Sequence, residues 1–227
     1  MKFSLRSKHS VLMACGLALL GASGVASAVT VSAGAASQAT TLQPGAVSVN
    51  FNGSSGCGAY DSCTGSFKIV SGSVAGKYAK PRLASGKYLT VPNPTKGPVG
   101  TATLELGTLS SYFGLYWGSI DKYNKISFWR EGVEVASYTG QAIASLLGLS
   151  TSGSPTSTKS NRYINFFFGS NQYFDTVKLT STNYAFESDN HAYAPVPLPA
   201  AAWLLLSGLV GVAAMGRRRG GKALTPA

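Results

Sequence analysis

Apolar and polar positions alternate with a period of two through most of the chain. AVSVNF sets Val47, Val49 and Phe51 against small polar residues, and TATLEL sets Ala102, Leu104 and Leu106 against Thr101, Thr103 and Glu105. That spacing predicts half-buried strands. ISFWREGVEVASYTG predicts a hairpin: Ile126 and Phe128, a turn at Glu131-Gly132, then Val133 and Val135. NRYINFFFGS is a dense aromatic strand bounded by Gly169-Ser170-Asn171, and FDTVKLTS and YAFESDNHAYA close the series. Turn residues punctuate the intervals, as at Val91-Pro92-Asn93-Pro94 and in the Ser/Thr-rich loop 150–161. Only GQAIASLLGLS carries a helical period, with Ile143, Leu146 and Leu147 at i, i+3 and i+4 behind a capping Thr139. The pattern predicts an all-β fold: an antiparallel β-sandwich of jelly-roll type with one short helix over residues 46–194. Residues 29–45, rich in Ala, Ser, Thr and Gln, read as a flexible lead-in, and no internal repeat stands out.

The two ends follow another rule. Lys2, Arg6 and Lys8 precede an apolar run that stops at Ala26-Ser27-Ala28. A basic start, an apolar core and small residues at an A-x-A site predict a secretory signal peptide over residues 1–28, cut by signal peptidase after Ala28. A lipoprotein box at Leu12 to Cys15 is the alternative, but only Val11 to Ala14 precede that cysteine, which is short for an inserting segment. At the other end, residues 200–216 form a charge-free run of seventeen residues, long enough at about 1.5 Å per residue for a transmembrane helix through a thin hydrocarbon core. Arg217, Arg218 and Arg219 follow at once and place the tail on the cytoplasmic side and the body outside. Just before the run stands Val196-Pro197-Leu198-Pro199-Ala200. Its two prolines hold the backbone extended and without helical hydrogen bonding above the membrane.

The motif, the span and the arginine cluster, in that order, resemble the PEP-CTERM sorting signal in its VPLPA variant, here residues 195–227. The resemblance implies recognition and cleavage at Pro-x-Pro by exosortase, a transpeptidase-like membrane protease, so that the anchored precursor passes to the cell surface or beyond. Leu198 stands where the commoner motif has glutamate, and Gly220 to Ala227 trail the arginines. The body has its own resemblance. YFGLYWGSIDKYNKISFWREGVEVASYTGQAI and NRYINFFFGSNQYFDTVKLTSTNYAFESDNHAYA, within residues 98–194, are similar to the globular domain of exosortase-dependent surface proteins. Their closing-strand pattern is matched by Phe174-Asp175, Val177, Ala185-Phe186-Glu187 and Asp189-Asn190. The likeness implies location and architecture, not chemistry.

Charge and cysteine content narrow the classes. The formal charge is +11, but three basic residues lie in the leader and four after the span; the twelve left face eight acids, a balance of +4 with no basic run. That argues against a nucleic-acid partner. Once Cys15 leaves with the leader, Cys57 and Cys63 in GCGAYDSC remain, an even pair suited to a small loop disulfide in an oxidising compartment.

Catalytic signals are thin. His191 is the one histidine outside the leader, without a G-x-S-x-G or H-E-x-x-H beside it, and no pair among the eight acids is singled out. Binding has more to work with. Tyr112, Tyr116, Trp117, Tyr123 and Trp129 either fill the core or stack on sugar rings of an exopolysaccharide. Trp117, beside a Gly-Ser-Ile-Asp loop, is the first candidate for exposure, with Trp129 and Tyr116 next. Asp189, Asn190 and Glu187, with Asp175, offer oxygen ligands for calcium; an Asx turn is the alternative. The expectation is an exported bacterial surface or extracellular-matrix protein with a structural or adhesive role. A carbohydrate-binding module is the first alternative and a polysaccharide-active enzyme the second.

Overall fold

The structure, a computed structural model, describes residues 29–53 and 56–196. Among these the chain forms β1 (Thr30–Ala33), β2 (Val47–Val49), β3 (Ser62–Gly65), β4 (Lys68–Ser71), β5 (Lys87–Val91), β6 (Gly100–Gly118), β7 (Asn124–Arg130) and β8 (Val133–Thr139). Then come α1 (Gly140–Leu147), β9 (Arg162–Phe167), β10 (Phe174–Ser181) and β11 (Phe186–Pro195). All pairings are antiparallel. The all-β sandwich with a single short helix is what the described chain forms. The expected leader 1–28, the expected span 200–216 and the arginine cluster lie outside the described residues, and no helix among the described residues is long and apolar enough to cross a membrane.

The long strand β6 organises the sheets. From Gly100 to Glu105 it pairs with β10 on one side and, from Ala102, with β3 on the other. From Tyr112 to Gly118 it pairs instead with β11 and β9. Between the halves Gly107 has φ 68°, a left-handed conformation that glycine adopts without a Cβ penalty. The first half therefore belongs to a layer β3–β6–β10–β7–β8, which we term sheet I. The second half belongs to β1–β9–β6–β11, with β5 and β2 on the far side of β11 and β4 beyond β5; this is sheet II. The inward phase changes across the corner. Ala102, Leu104 and Leu106 face the core before it, and Phe113, Leu115 and Trp117 after it.

Aromatic rings join the layers. Phe128 of β7 lies 5.0 Å, centroid to centroid, from Phe166 of β9, from Phe168 and from Phe174 of β10. Farther along the core Trp117 stacks on Phe186 at 4.3 Å. Such pairs add about 0.5–1.5 kcal/mol each beyond the area they bury.

The hairpin forms as the spacing predicts. Glu131 and Gly132 have φ 51° and 81°, the pair of positive angles that a type I′ turn requires. Ile126 and Phe128 are buried, but Val133 is 66% exposed, so β8 lies at the sheet edge with its valines in solvent. Helix α1 is capped by Thr139, whose hydroxyl accepts from Ala142 N–H at 3.1 Å, and ends at Gly148 with φ 64°. Its buried face is Gly140, Ile143 and Ala144; Leu146, counted inward on sequence spacing, is 61% exposed.

The segment 29–45 is a correction to the sequence reading. Thr30–Ala33 is an edge strand in register with Ile164–Phe167. Beyond it the Gly34 carbonyl accepts from Arg162 Nη1 at 3.0 Å, and the Thr41 hydroxyl lies 2.7 Å from that of Tyr112. Small residues gave this stretch the look of a linker, whereas they let the backbone lie close over the outer face of sheet II.

Candidate functional site

The outer faces of the two sheets supply the candidate sites. On sheet II, strand β6 presents Tyr112, Gly114, Tyr116 and Gly118 outward, opposite in phase to Phe113, Leu115 and Trp117. Those tyrosines are nonetheless buried. A Cβ at Gly114 would meet the hydroxyls of Tyr112 and Tyr163, and one at Gly118 would meet Pro81 of the β4–β5 connection, so each glycine admits a covering group. Tyr112 donates to Asn165 Oδ1 at 2.8 Å.

This corrects two binding candidates. Trp117 is wholly buried against Phe186, and Tyr116 is wholly buried under the loops. The alternation of YFGLYWG held the signal: Trp117 shares the phase of Phe113 and Leu115, and nearness to a loop does not change phase.

The outer face of sheet I is open. Cross-strand pairing sets Glu105, Thr176 and Trp129 in one row and Thr103, Lys178 and Ser127 in the next. With Asp175, Glu131 and Gly132, all of these except the buried Ser127 line a groove of about 360 Å³. Trp129 is half-buried; its indole N–H donates to Ser127 Oγ at 2.9 Å, and Lys178 Nζ stands 3.7 Å above its ring. That cation–π contact orients the ring and places a positive donor over it. Glu105 Oε2 and Asp175 Oδ1 each lie 2.7 Å from the Thr176 hydroxyl, and Asp175 Oδ2 accepts from Glu131 N–H at 3.0 Å. The groove thus joins an aromatic face, an ammonium and carboxylates, the groups that recognise a polyhydroxylated or mixed-charge ligand. Sequence reasoning reached Trp129 but missed Lys178 and Glu105, which only the β6–β10–β7 register brings beside it.

A second concavity, of about 380 Å³, lies between the β4–β5 connection, the β6–β7 loop and the start of β11. Its lining includes Tyr78, Ser119, Asp121, Tyr123, Tyr184 and Glu187. The Tyr123 hydroxyl is 2.8 Å from Asp121 Oδ2 and 2.6 Å from the Tyr184 carbonyl. Glu187 is 2% exposed; its Oε1 accepts from Ala79 N–H at 2.8 Å, while Oε2 is buried without a partner. Burial pushes the Glu187 carboxyl up to about 8, against the pull of the Ala79 N–H, and the charge of Asp121 adds to the rise. Burial raises Asp121 as well, opposed by the Tyr123 hydrogen bond.

The calcium set expected from Asp189, Asn190, Glu187 and Asp175 is not assembled. Asp175 lies in the sheet I groove, and Glu187 in the other concavity. Asn190 has φ 49° and sits at a shift of register between β11 and β6, donating its N–H to Asp189 Oδ1 at 2.7 Å. Among the described residues no three His, Cys, Asp or Glu side chains gather as a metal set. Asp189 is 1% exposed, and burial raises it to about 7. The irregularity at Asn190 leads into the buried His191, whose ring stands 2.8 Å from both the Tyr60 hydroxyl and Ser188 Oγ. Burial lowers its pKa to about 3, so it is a neutral packing element of the core.

Cys57 and Cys63 are joined in a disulfide. Val196 N–H donates to the Leu109 carbonyl at 2.9 Å; the rest of the expected sorting motif, Pro197, Leu198, Pro199 and Ala200, like Ala26, Ala28, Arg217, Arg218 and Arg219, lies outside the described residues.

No family model and no curated protein matches the chain. Among solved structures it is similar to one described as CpGH89CBM32-6 produced by Clostridium perfringens, at 8% identity over 58% of this chain and 94% of that one. The TM-score is 0.30, too low for the likeness to carry an argument.

Proposed function

We propose that this chain is an exported bacterial surface protein of the exosortase-dependent kind, whose sandwich does structural or adhesive work in the envelope or extracellular matrix. One observation carries the reading: Val196-Pro197-Leu198-Pro199-Ala200, a charge-free span and Arg217-Arg218-Arg219 stand in the order and spacing of a sorting signal. The Cys57–Cys63 disulfide supports it, because such bonds persist in oxidising compartments. In this account signal peptidase removes the leader, the span holds the precursor in the membrane, and exosortase cuts at the Pro-x-Pro motif.

The test is the intact mass of the protein from its native host with and without the exosortase. Loss of the residues beyond the motif only when exosortase is present is the expected result. An unchanged C-terminus in both strains would mean that the span is a plain anchor.

A second reading, glycan binding by the same domain, is favoured by the groove on sheet I. There Lys178, held over the Trp129 ring, offers a donor, and Glu105 and Asp175 offer acceptors for sugar hydroxyls. In this reading the carbohydrate contact is at Trp129, not at Trp117 or Tyr116, which are buried.

A further inference from the structure

The concavity beside β11 contains two polar atoms left over by the fold. Glu187 Oε2 and Ser119 Oγ, on residues 2% and 3% exposed, are both buried without a hydrogen-bond partner, and both residues line the same space. An unmade bond on a buried polar group costs about 1–3 kcal/mol, more for a charged one, so two at one place call for a partner that the polypeptide does not supply. Their surroundings give its sign. Asp121 lines the space and acts electrostatically on Glu187, while Tyr78, Tyr123 and Tyr184 bring neutral hydroxyls. Lys77 also borders the concavity, but its Nζ donates to the Pro94 carbonyl at 3.2 Å and leaves the two carboxyls uncompensated.

The backbone holds the pair at fixed places. Ser119, at φ 46°, turns the chain out of β6, and its N–H donates to Asn161 Oδ1 at 3.2 Å. Asp121 is bridged to Ser152 and held by Tyr123. Glu187 is fixed by its strand register, opposite Gly118 of β6 and Thr90 of β5, and by Ala79. Two carboxylates and a hydroxyl on such anchors, carried by residues that line a space large enough for several waters, supply an irregular oxygen set. Calcium accepts such sets and completes them with water, whereas magnesium demands a near-ideal octahedron.

We propose that Glu187, Asp121 and Ser119 bind a calcium ion that ties the β6–β7 loop to β11. The site is distinct from the Asp189–Asn190 set that the sequence suggests, and it uses only one of those residues. With two protein carboxylates its affinity falls in the range of about 10⁻⁴–10⁻³ M typical of extracellular modules.

Calcium chloride is titrated into the metal-free protein at pH 8.5, where both carboxyls are available as ligands, and the thermal midpoint is followed. Terbium luminescence, sensitised by the neighbouring tyrosines, serves as a second readout. At 10 mM calcium, about ten to a hundred times the dissociation constant, the wild-type midpoint rises by about 3–10 °C and terbium emission appears. Glu187→Gln and Asp121→Asn each lose the shift and the emission while keeping the far-UV spectrum of the fold; Asp189→Asn keeps both responses. Absence of a calcium shift and of terbium emission in the wild type overturns the proposal. So does a full response in Asp121→Asn, or one abolished only by Asp189→Asn.

Discussion

The two outer faces of the sandwich use the same strand β6 in opposite ways. On sheet II its outward residues alternate tyrosine with glycine, and the chain folds the 34–45 and 72–86 segments over them. On sheet I its outward residues are Thr101, Thr103 and Glu105, and they stay open beside Lys178 and Trp129. A face with glycine at alternate positions accepts a covering loop, because backbone and proline approach where no Cβ stands. A face of threonine, lysine and glutamate needs no cover, since its groups satisfy one another and water. Coverage then decides chemistry. Under the loops, the carboxyls of Glu187 and Asp189 lose solvent and their pKa values rise.

The largest effect that tests this contrast is on Trp117. Replacing it with alanine removes a fully buried ring stacked on Phe186 and is expected to destabilise the domain by about 3–5 kcal/mol in urea unfolding. A loss under 1 kcal/mol would place the ring outside the core.

Next comes the pH dependence of the covered face, measured in EDTA. Glu187 goes from 4.5 to about 8 on folding and Asp189 from 3.8 to about 7. The folded chain therefore holds protons that the unfolded chain releases, and stability falls as pH rises through this window, by about 1.4 kcal/mol per pH unit for each group in transition. His191, lowered to about 3, acts in the opposite sense, and stability falls as pH drops from 6.5 toward 3. Glu187→Gln should flatten the decline between about pH 4.5 and 8 and leave stability at about pH 4 nearly unchanged. An equally steep decline in that variant would assign it to other groups.

Gly118→Ala should cost about 1–3 kcal/mol, because the added methyl meets Pro81 of the cover. If the melting temperature is unaffected, Pro81 does not seat there.

The legible and illegible parts of the fold divide along the same line. Period-two alternation located β6, β7, β10 and the Glu131-Gly132 turn, because one face of each strand meets the core and the other meets polar surroundings. It also assigns Trp117 to the core with Phe113 and Leu115, but it failed for Tyr116, where the outer face is covered and burial no longer follows phase. It failed at the chain start, where β1 is a strand only because β9 offers an edge. Of the open groove, Trp129 was visible as an aromatic residue in a region with few large aliphatic side chains. Its companions come from strands 24 and 49 residues away, Glu105 and Lys178, and only the register joins them.

The smallest effect on stability carries the most about function. Trp129→Ala, on a half-buried ring, should lower stability by about 1 kcal/mol or less. Binding of wild type and this variant to extracellular polysaccharide from the producing cells, by affinity electrophoresis, tests most directly whether the open face of sheet I is the working face. The account predicts retardation of the wild type and at least tenfold weaker retardation of the variant. Equal retardation of the two proteins would contradict it.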